Sequence, residues 1–305
     1  MIQSEDLLKT LKKNKVNFFT GVPDSVLSKF TQIVKKNHIV AVNEGSAVAI
    51  AIGRYIKSKK ITCVYMQNSG LGNSINPLVS LAAKEVYSIP MILLIGWRGM
   101  PNLSDEPQHR VQGKITKQFL KLLNIKYIFL KENKDISKLS SLINHSKKNN
   151  CPVAILISNK TLKNNLNRKI KYNYKSNVDR DRFIENILKK LKRNDRIISS
   201  TGYISRSLYQ KREILKKKVH GKDFYMVGGM GHTGGVSLGV NLYNKYKTIC
   251  LDGDGSFLMH LGSIITLSEC VKKNLFYFVL DNQKHESVGN QFTSSKHINF
   301  KKLSE

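Results

Sequence analysis

Thr248-Ile249-Cys250-Leu251-Asp252-Gly253-Asp254-Gly255-Ser256 is the stretch on which the fold turns. A short β-favouring run leads straight into a turn with two glycines around an aspartate. About 25 residues later, Phe276-Tyr277-Phe278-Val279-Leu280-Asp281-Asn282 repeats the pattern, a strand ending in polar residues. Both polar ends fall at the carboxyl ends of strands, where open α/β sheets bind ligands. Gly253 and Gly255 let the backbone approach a diphosphate closely. Asp254 and Asn282 offer two oxygen ligands from neighbouring strand ends. That pair suits Mg²⁺, which is hard, octahedral and usually shared with phosphate oxygens. Taken alone, Gly253-Asp254-Gly255 is equally a tight turn after a strand; the second strand ending in Asn is what favours a ligand site.

Outward from this pair, the chain keeps alternating between two periods. In the second half, helical patterns are expected over Arg182 to Lys192, Ser205 to Lys216 and Val236 to Leu242, with strands at Arg196 to Ser199, Thr248 to Asp252 and Leu275 to Leu280. In the first half, strands are expected at Val16 to Thr20, Ile39 to Val42, Ile61 to Met66, Ile89 to Ile95 and Val153 to Ser158. Helices are expected between them, at Ser25 to Lys36, Gly45 to Ser58 and Asn76 to Lys84. Such alternation means βαβ units and parallel sheets flanked by helices, an α/β fold in two domains. An Asn/Lys-rich stretch with little apolar periodicity reads as a linker, so the expected division is 1–160, a linker 161–179, and 180–305.

The composition agrees with two such domains. The chain has 305 residues, 41% of them hydrophobic, enough for sizeable cores. Its net charge of +30 raises nucleic acid and anionic membranes as partners. The cations, however, are mostly lysines in doublets and triplets, such as Lys12-Lys13, Lys35-Lys36 and Lys216-Lys217-Lys218, spread along the whole chain among Asn and Ile. That is a solvated face, not a binding tail, and neither nucleic acid nor membrane is expected as a partner. The same surface attracts anionic substrates. Cys63, Cys151, Cys250 and Cys270 form no CxxC pair and read as buried thiols of a reducing compartment. The longest apolar runs, such as Pro90 to Gly96, span about 7 residues where a membrane helix needs about 20. The N-terminus shows no signal-peptide pattern, so a cytoplasmic protein is expected.

The Gly-Asp-Gly run followed at this distance by an Asn resembles the cofactor motif of the thiamine diphosphate-dependent 2-keto acid decarboxylases. The resemblance implies two cofactor domains, a pyrimidine-binding one first and a diphosphate-binding one second. It implies thiamine diphosphate and Mg²⁺ as cofactors, with Gly253, Asp254, Gly255 and Ser256 at the diphosphate and Asp254, Asn282 and the backbone carbonyl of Lys284 on the metal. Asp281 stands where the family has a first Asn. Upstream, in Gly228-Gly229-Met230-Gly231-His232, Met230 takes the position of the large apolar side chain that props the cofactor in its bent shape; a core Met is the plainer reading.

In the first half the family has a Glu against the aminopyrimidine ring, at the start of an Ala-rich helix after a strand. Ala41-Val42-Asn43-Glu44-Gly45-Ser46-Ala47 matches, and makes Glu44 the candidate catalytic carboxylate. A Glu in a first helical turn is also an ordinary dipole feature. Gln67-Asn68-Ser69-Gly70-Leu71-Gly72-Asn73 resembles the glycine loop beside the cofactor, with Asn68, Gly70 and Gly72 as candidates.

Several stretches resemble the phosphonopyruvate decarboxylases in particular: Gly21-Val22-Pro23-Asp24-Ser25, Asp105-Glu106-Pro107-Gln108-His109, Leu258-Met259-His260 and His285-Glu286-Ser287-Val288-Gly289. Sulfopyruvate decarboxylases are close relatives. The substrate implied is a small 2-keto acid carrying a phosphonate or sulfonate. Asp24 and His109 become candidates for proton transfer after CO₂ has left, although Asp24 also fits a helix N-cap and His109 a solvated loop. Arg98, Arg110, Lys284 and His285 are candidates for holding the anionic tail. In this family each site takes one domain of each type from different subunits, so a homo-oligomer, at least a dimer, is expected. Family chains usually continue for several dozen residues past His285-Glu286-Ser287-Val288-Gly289, and this one stops at Glu305, which raises a fragment or an incomplete cofactor-binding subunit as an alternative.

Overall fold

The computed structural model describes residues 1–164, 178–215 and 222–304. The chain divides into two compact units, Met1–Lys169 with Val288–Gln291, and Ile170–Ser287 with Phe292–Glu305. Most of the expected linker, along with Lys216, Lys217 and Lys218, lies outside the described residues. The part of it that is described is not linker-like. Leu162–Lys163 is a strand paired in parallel with Ile2–Gln3, and Asp179 is the N-cap of the helix Arg180–Lys190, its side chain accepting the Arg182 N–H.

We number the strands β1 (Ile2–Gln3), β2 (Phe19–Gly21), β3 (His38–Val40), β4 (Cys63–Gln67), β5 (Ile92–Trp97), β6 (Lys126–Leu130), β7 (Val153–Ser158), β8 (Leu162–Lys163), β9 (Arg196–Ser199), β10 (Phe224–Tyr225), β11 (Thr248–Gly253) and β12 (Leu275–Leu280). In the first unit, six strands form one sheet in the order β3-β2-β4-β5-β7-β6, every pair parallel. Strand side chains alternate between faces. Ile92, Leu94, Val153, Ile155 and Ile157 enter one apolar cluster, while Leu93, Ile95, Ala154 and Leu156 enter the other. A sheet buried on both faces needs unbroken apolar strands, which is why β5 and β7 read as continuous runs.

The second unit has a four-stranded parallel sheet in the order β10-β9-β11-β12. Ile197, Ile249 and Leu251 pack there with Ile184, Leu188 and Leu208 of the flanking helices. Both units are therefore the parallel α/β arrangement expected from the alternation.

Local departures have local causes. The helix expected over Ser25 to Lys36 shrinks to Ser28–Thr31 within a run of turns. The helix expected over Asn76 to Lys84 begins earlier, at Leu71–Pro77, and passes into a π-helical turn, Leu78–Ala82, where Pro77 lacks the N–H that would continue the α ladder. His109 lies in the first turn of the long helix Pro107–Leu122, not in a loop, with Pro107 at the position that tolerates a missing N–H. Val288–Gln291, expected in the second domain, belongs to the first unit, where Gln291 Nε2 donates to Thr31 Oγ1 at 2.6 Å. Cys63 and Cys250 are buried, but Cys270 is exposed. No described helix is long and apolar enough to cross a membrane.

Candidate active site

In the first unit, the carboxyl ends of neighbouring strands carry the chemistry. Asp24 follows β2, Glu44 follows β3, Asn68 follows β4 and Arg98 follows β5. Because all four strands run the same way, these residues share one end of the sheet.

Glu44 opens the helix Glu44–Ser58, with Asn43 as N-cap, its side chain accepting the Ser46 N–H at 2.8 Å. Glu44 is 5% exposed. Its Oε2 accepts a hydrogen bond from Asn73 Nδ2 at 2.8 Å. Burial raises its pKa, and the Asn73 amide only partly opposes that. Gly70 is required here, since a Cβ at that position would fall 2.4 Å from Glu44 Cγ. At Gly72 a Cβ would meet nothing within 4 Å, so close packing does not demand that glycine.

Asp24 is 1% exposed. The Leu27 N–H donates to its Oδ2 at 3.2 Å, the N-cap-like contact anticipated for it, while Oδ1 is buried without a hydrogen-bond partner. Burial raises its pKa to about 6, against the pull of backbone N–H groups and of Arg98. Gly96 makes room for it, since a Cβ there would lie 1.9 Å from Asp24 Oδ2.

Arg98 is not a free cation. Its guanidinium meets Asp105 at 2.6 Å and 2.8 Å, and its Nη1 donates to Ser25 Oγ at 3.0 Å. Asp105 also accepts the Gly99 N–H at 2.7 Å, and Arg98 with these N–H groups holds its carboxyl well below the usual range. Arg98, a candidate for the substrate anion, is thus already paired with Asp105 in this structure. His109 is 8% exposed, and its pKa is lowered first by burial and then by Arg98. Arg110, the next residue, is exposed. Asn68 is buried, and its amide is committed to tying strand ends together: Nδ2 donates to the Arg98 carbonyl and to Thr116 Oγ1, each at 2.9 Å, and Oδ1 accepts the Arg98 N–H.

In the second unit, β11 and β12 run in register with Gly253 opposite Leu280, so Asp254 and Asp281 emerge side by side. Asp254 is 3% exposed. Its Oδ2 accepts from Thr293 Oγ1, and its pKa is raised by burial and further by the nearby Asp281 carboxylate. Asp281 Oδ1 accepts from Gln283 N at 3.0 Å and Ser295 Oγ at 2.8 Å. Asn282 Oδ1 accepts from Lys284 N at 3.1 Å, and its Nδ2 donates to Glu286. These side-chain bonds hold a tight loop in which Gln283 takes a left-handed φ of 59°. The Lys284 carbonyl accepts the Glu286 N–H at 2.9 Å.

Asp254, Asn282, Lys284, His285 and Met230 line one cleft of about 1540 Å³ together with Gly253, Gly255 and Ser256. Met230 sits between Gly229 at φ 69° and Gly231 at φ 92°, and the Gly231 N–H donates to Ser256 Oγ at 3.0 Å. Two left-handed residues around one Met explain the glycines of this turn. His285 is pushed down to about 4 by burial, so it is a neutral imidazole at pH 7. Toward an anionic tail it offers hydrogen-bonding nitrogens in this neutral form.

A buried carboxylate raised by a second carboxylate, beside an amide oxygen and a large polar-ended cleft, is an environment that a divalent cation relieves. The donors are all oxygens, so the residues fit Mg²⁺ and a diphosphate. Sequence reasoning passed over Asn73 and Asp105, although both lie in stretches it had singled out, and it had no signal for Thr293.

Residues 1–129 match the thiamine pyrophosphate enzyme N-terminal TPP binding domain, and residues 201–304 match the corresponding C-terminal TPP binding domain. The chain is 32% identical to a phosphonopyruvate decarboxylase of Streptomyces viridochromogenes over 98% of this chain and 78% of that protein. It is 30% identical to a phosphonopyruvate decarboxylase of Streptomyces hygroscopicus, over 98% of this chain and 77% of that protein. A sulfopyruvate decarboxylase of Methanosarcina acetivorans is 26% identical over 95% of this chain and 78% of its own length. With both cofactor-domain models matched and near-full-length similarity at this level, the chain belongs to the thiamine diphosphate-dependent decarboxylases, in the family of the phosphonopyruvate decarboxylases.

Proposed function

We propose that this enzyme decarboxylates 3-phosphonopyruvate to phosphonoacetaldehyde and CO₂, a step of phosphonate biosynthesis, with thiamine diphosphate and Mg²⁺. The observation that carries the reading is that similarity to the two Streptomyces phosphonopyruvate decarboxylases extends over 98% of the chain, and so through both units. Thiamine diphosphate, when bound, supplies the carbon nucleophile and the electron sink for CO₂ loss.

The chain's own residues hold, orient and exchange protons. Asp254 and Asn282 oxygens and the Lys284 carbonyl hold Mg²⁺, and the Gly253–Ser256 turn receives the diphosphate. Met230 supports the cofactor from the glycine turn opposite. Glu44, kept proton-hungry by burial and steadied by Asn73, holds a proton at Oε against the aminopyrimidine ring. Gly70 and Gly72 shape the loop beside it, and Asn68 keeps that loop fixed to β5. Asp24, with a pKa of about 6, is partly protonated near neutrality and hands a proton to the product carbon, with His109 as its neutral partner. Arg110 and Lys284 are the cations proposed to meet the phosphonate. A homo-oligomer, at least a dimer, is part of this reading, and sedimentation analysis checks it.

The test is aldehyde release from phosphonopyruvate beside a parallel sulfopyruvate reaction, both with thiamine diphosphate and Mg²⁺. Faster release from phosphonopyruvate supports the proposal. Faster release from sulfopyruvate selects the second reading, which the Methanosarcina acetivorans similarity favours. No release from either, with cofactor bound, selects the alternative of a cofactor-binding subunit without turnover.

A further inference from the structure

Asp105 has no place in the chemistry above, yet it is the most heavily engaged carboxylate at this end of the first sheet. It takes the Arg98 guanidinium through three contacts between 2.6 and 3.1 Å and two backbone N–H groups, Gly99 at 2.7 Å and Glu106 at 2.8 Å. Its side chain is 8% exposed and that of Arg98 15%, so the pair is poorly screened by solvent. Arg98 reaches past this pair to Ser25 Oγ, the residue next to Asp24. Asp24 has one carboxylate oxygen, Oδ1, buried with no hydrogen-bond partner.

A guanidinium bonded to the residue next to Asp24 and acting on it electrostatically would gain by turning to the buried, unpartnered Oδ1 unless something restrains it. Left to itself, an arginine fork closes on a carboxylate in two parallel bonds. That would tie Asp24 as an ion pair and remove its capacity to carry a proton. Asp105 holds the guanidinium instead: the Arg98 contact first, and the Gly99 and Glu106 N–H groups after it, keep Asp105 ionised.

We propose that Asp105 is a positioning residue that clamps Arg98 away from Asp24, so that Asp24 remains free to take up and release a proton. The proposal rests on the reading of Asp24 as a proton-transfer group. The charged and titratable groups around the cluster come from three elements. Arg98, after β5, acts on Asp24. Asp105 and Glu106, in the loop before the helix Pro107–Leu122, act on Arg98. His109, in the first turn of that helix, feels Arg98, Asp105 and Glu106. Burial raises Asp24 and Arg98 already opposes that rise from a distance, so a guanidinium released toward Asp24 moves its titration to lower pH.

The experiment follows the Asp24 carboxyl directly, by carbon-detected NMR titration of the full chain with ¹³C-labelled aspartate, using Asp24→Asn to assign the signal. Asp105→Asn is expected to lower the Asp24 midpoint by at least half a pH unit. Asp105→Glu, which keeps the charge, should recover most of it. Ser25→Ala, which loosens Arg98 while leaving Asp105 in place, gives a smaller shift in the same direction and serves if Asp105→Asn does not fold. An unmoved midpoint in Asp105→Asn, or in Ser25→Ala should Asp105→Asn not fold, overturns the clamp. The pH profile of decarboxylation separates the two ideas. If its alkaline limb moves down with the midpoint, the clamp and the role of Asp24 both stand. If the midpoint moves and the limb does not, the clamp stands and the proton-transfer role of Asp24 falls.

Discussion

The two sheets end in the same way and do opposite things with their carboxylates. At the carboxyl end of the first sheet, Glu44 is buried against the Asn73 amide, and Asp24 is buried against the Leu27 N–H with the Arg98 charge acting on it from its ion pair with Asp105. At the carboxyl end of the second, Asp254 and Asp281 emerge side by side, with Asn282 next in the chain. Burial raises the proton affinity in both places. An isolated buried carboxylate satisfies that tendency with a proton and becomes an acid–base group. Two crowded carboxylates with further oxygen donors satisfy it with a cation. In the proposed reading one architecture supplies a proton site and a metal site, and the neighbours of each carboxylate decide which.

The strongest way to break the comparison is Glu44→Gln. If Glu44 is the proton site, turnover should fall on the order of 10³-fold while thiamine diphosphate still binds. Calorimetric titration together with aldehyde release separates these effects, and near-normal turnover removes the assignment.

Asp254→Ala should act in the reverse sense, on binding first. Mg²⁺ affinity is expected to drop by more than about 100-fold, with cofactor affinity following. Acidification does the same to the unaltered protein, since a raised carboxylate takes up protons at a higher pH than an exposed Asp and then cannot ligate. A metal titration insensitive to both changes would sink the cation site.

Thr293→Val is subtler. It deletes only the hydroxyl that donates to Asp254, and a partner outside the ligand set costs about 10–100-fold in metal affinity. Glu44-dependent steps measured at saturating Mg²⁺ should not change. Parallel loss in both is the result that breaks the separation between the sheets.

The smallest effect sharpens the comparison through stability. The folded-state pKa of Asp24, about 6, lies above its ordinary value of 3.8, so the native state binds the proton more tightly. Its contribution is fully present below pH 3.8 and lost as pH rises through about 6. At pH 7 the ionised, buried group costs at most about 3 kcal/mol. Asp24→Asn should therefore stabilise the fold toward urea at pH 7 by up to that amount, and not at pH 4. A gain of equal size at both pH values rules out ionisation as its source.

Much of this was legible in the residues because it is local. Val153–Ser158, Arg196–Ser199 and Leu275–Leu280 appear where β-branched and aromatic runs placed them, and Glu44 opens its helix behind an Asn cap. Asp254 and Asn282 were legible because a strand-end motif needs only its own few residues and a spacing. The helix expected over Ser25 to Lys36 was overestimated, since periodicity does not register the turns that Asp24 and its backbone contacts impose there.

The sequence by itself determined the parallel α/β class, because strand periodicity is a short-range property of the chain, and its resemblance to a family named the carboxylates proposed for the two cofactor half-sites. Only the tertiary structure decided what state those groups are in. Asn73 reaches Glu44 across 29 positions, Thr293 reaches Asp254 across 39, and Arg98, offered by its charge as a substrate ligand, is taken by Asp105. Proton affinity depends on burial and on neighbours brought from elsewhere in the chain, and neither exists until the sheets have formed.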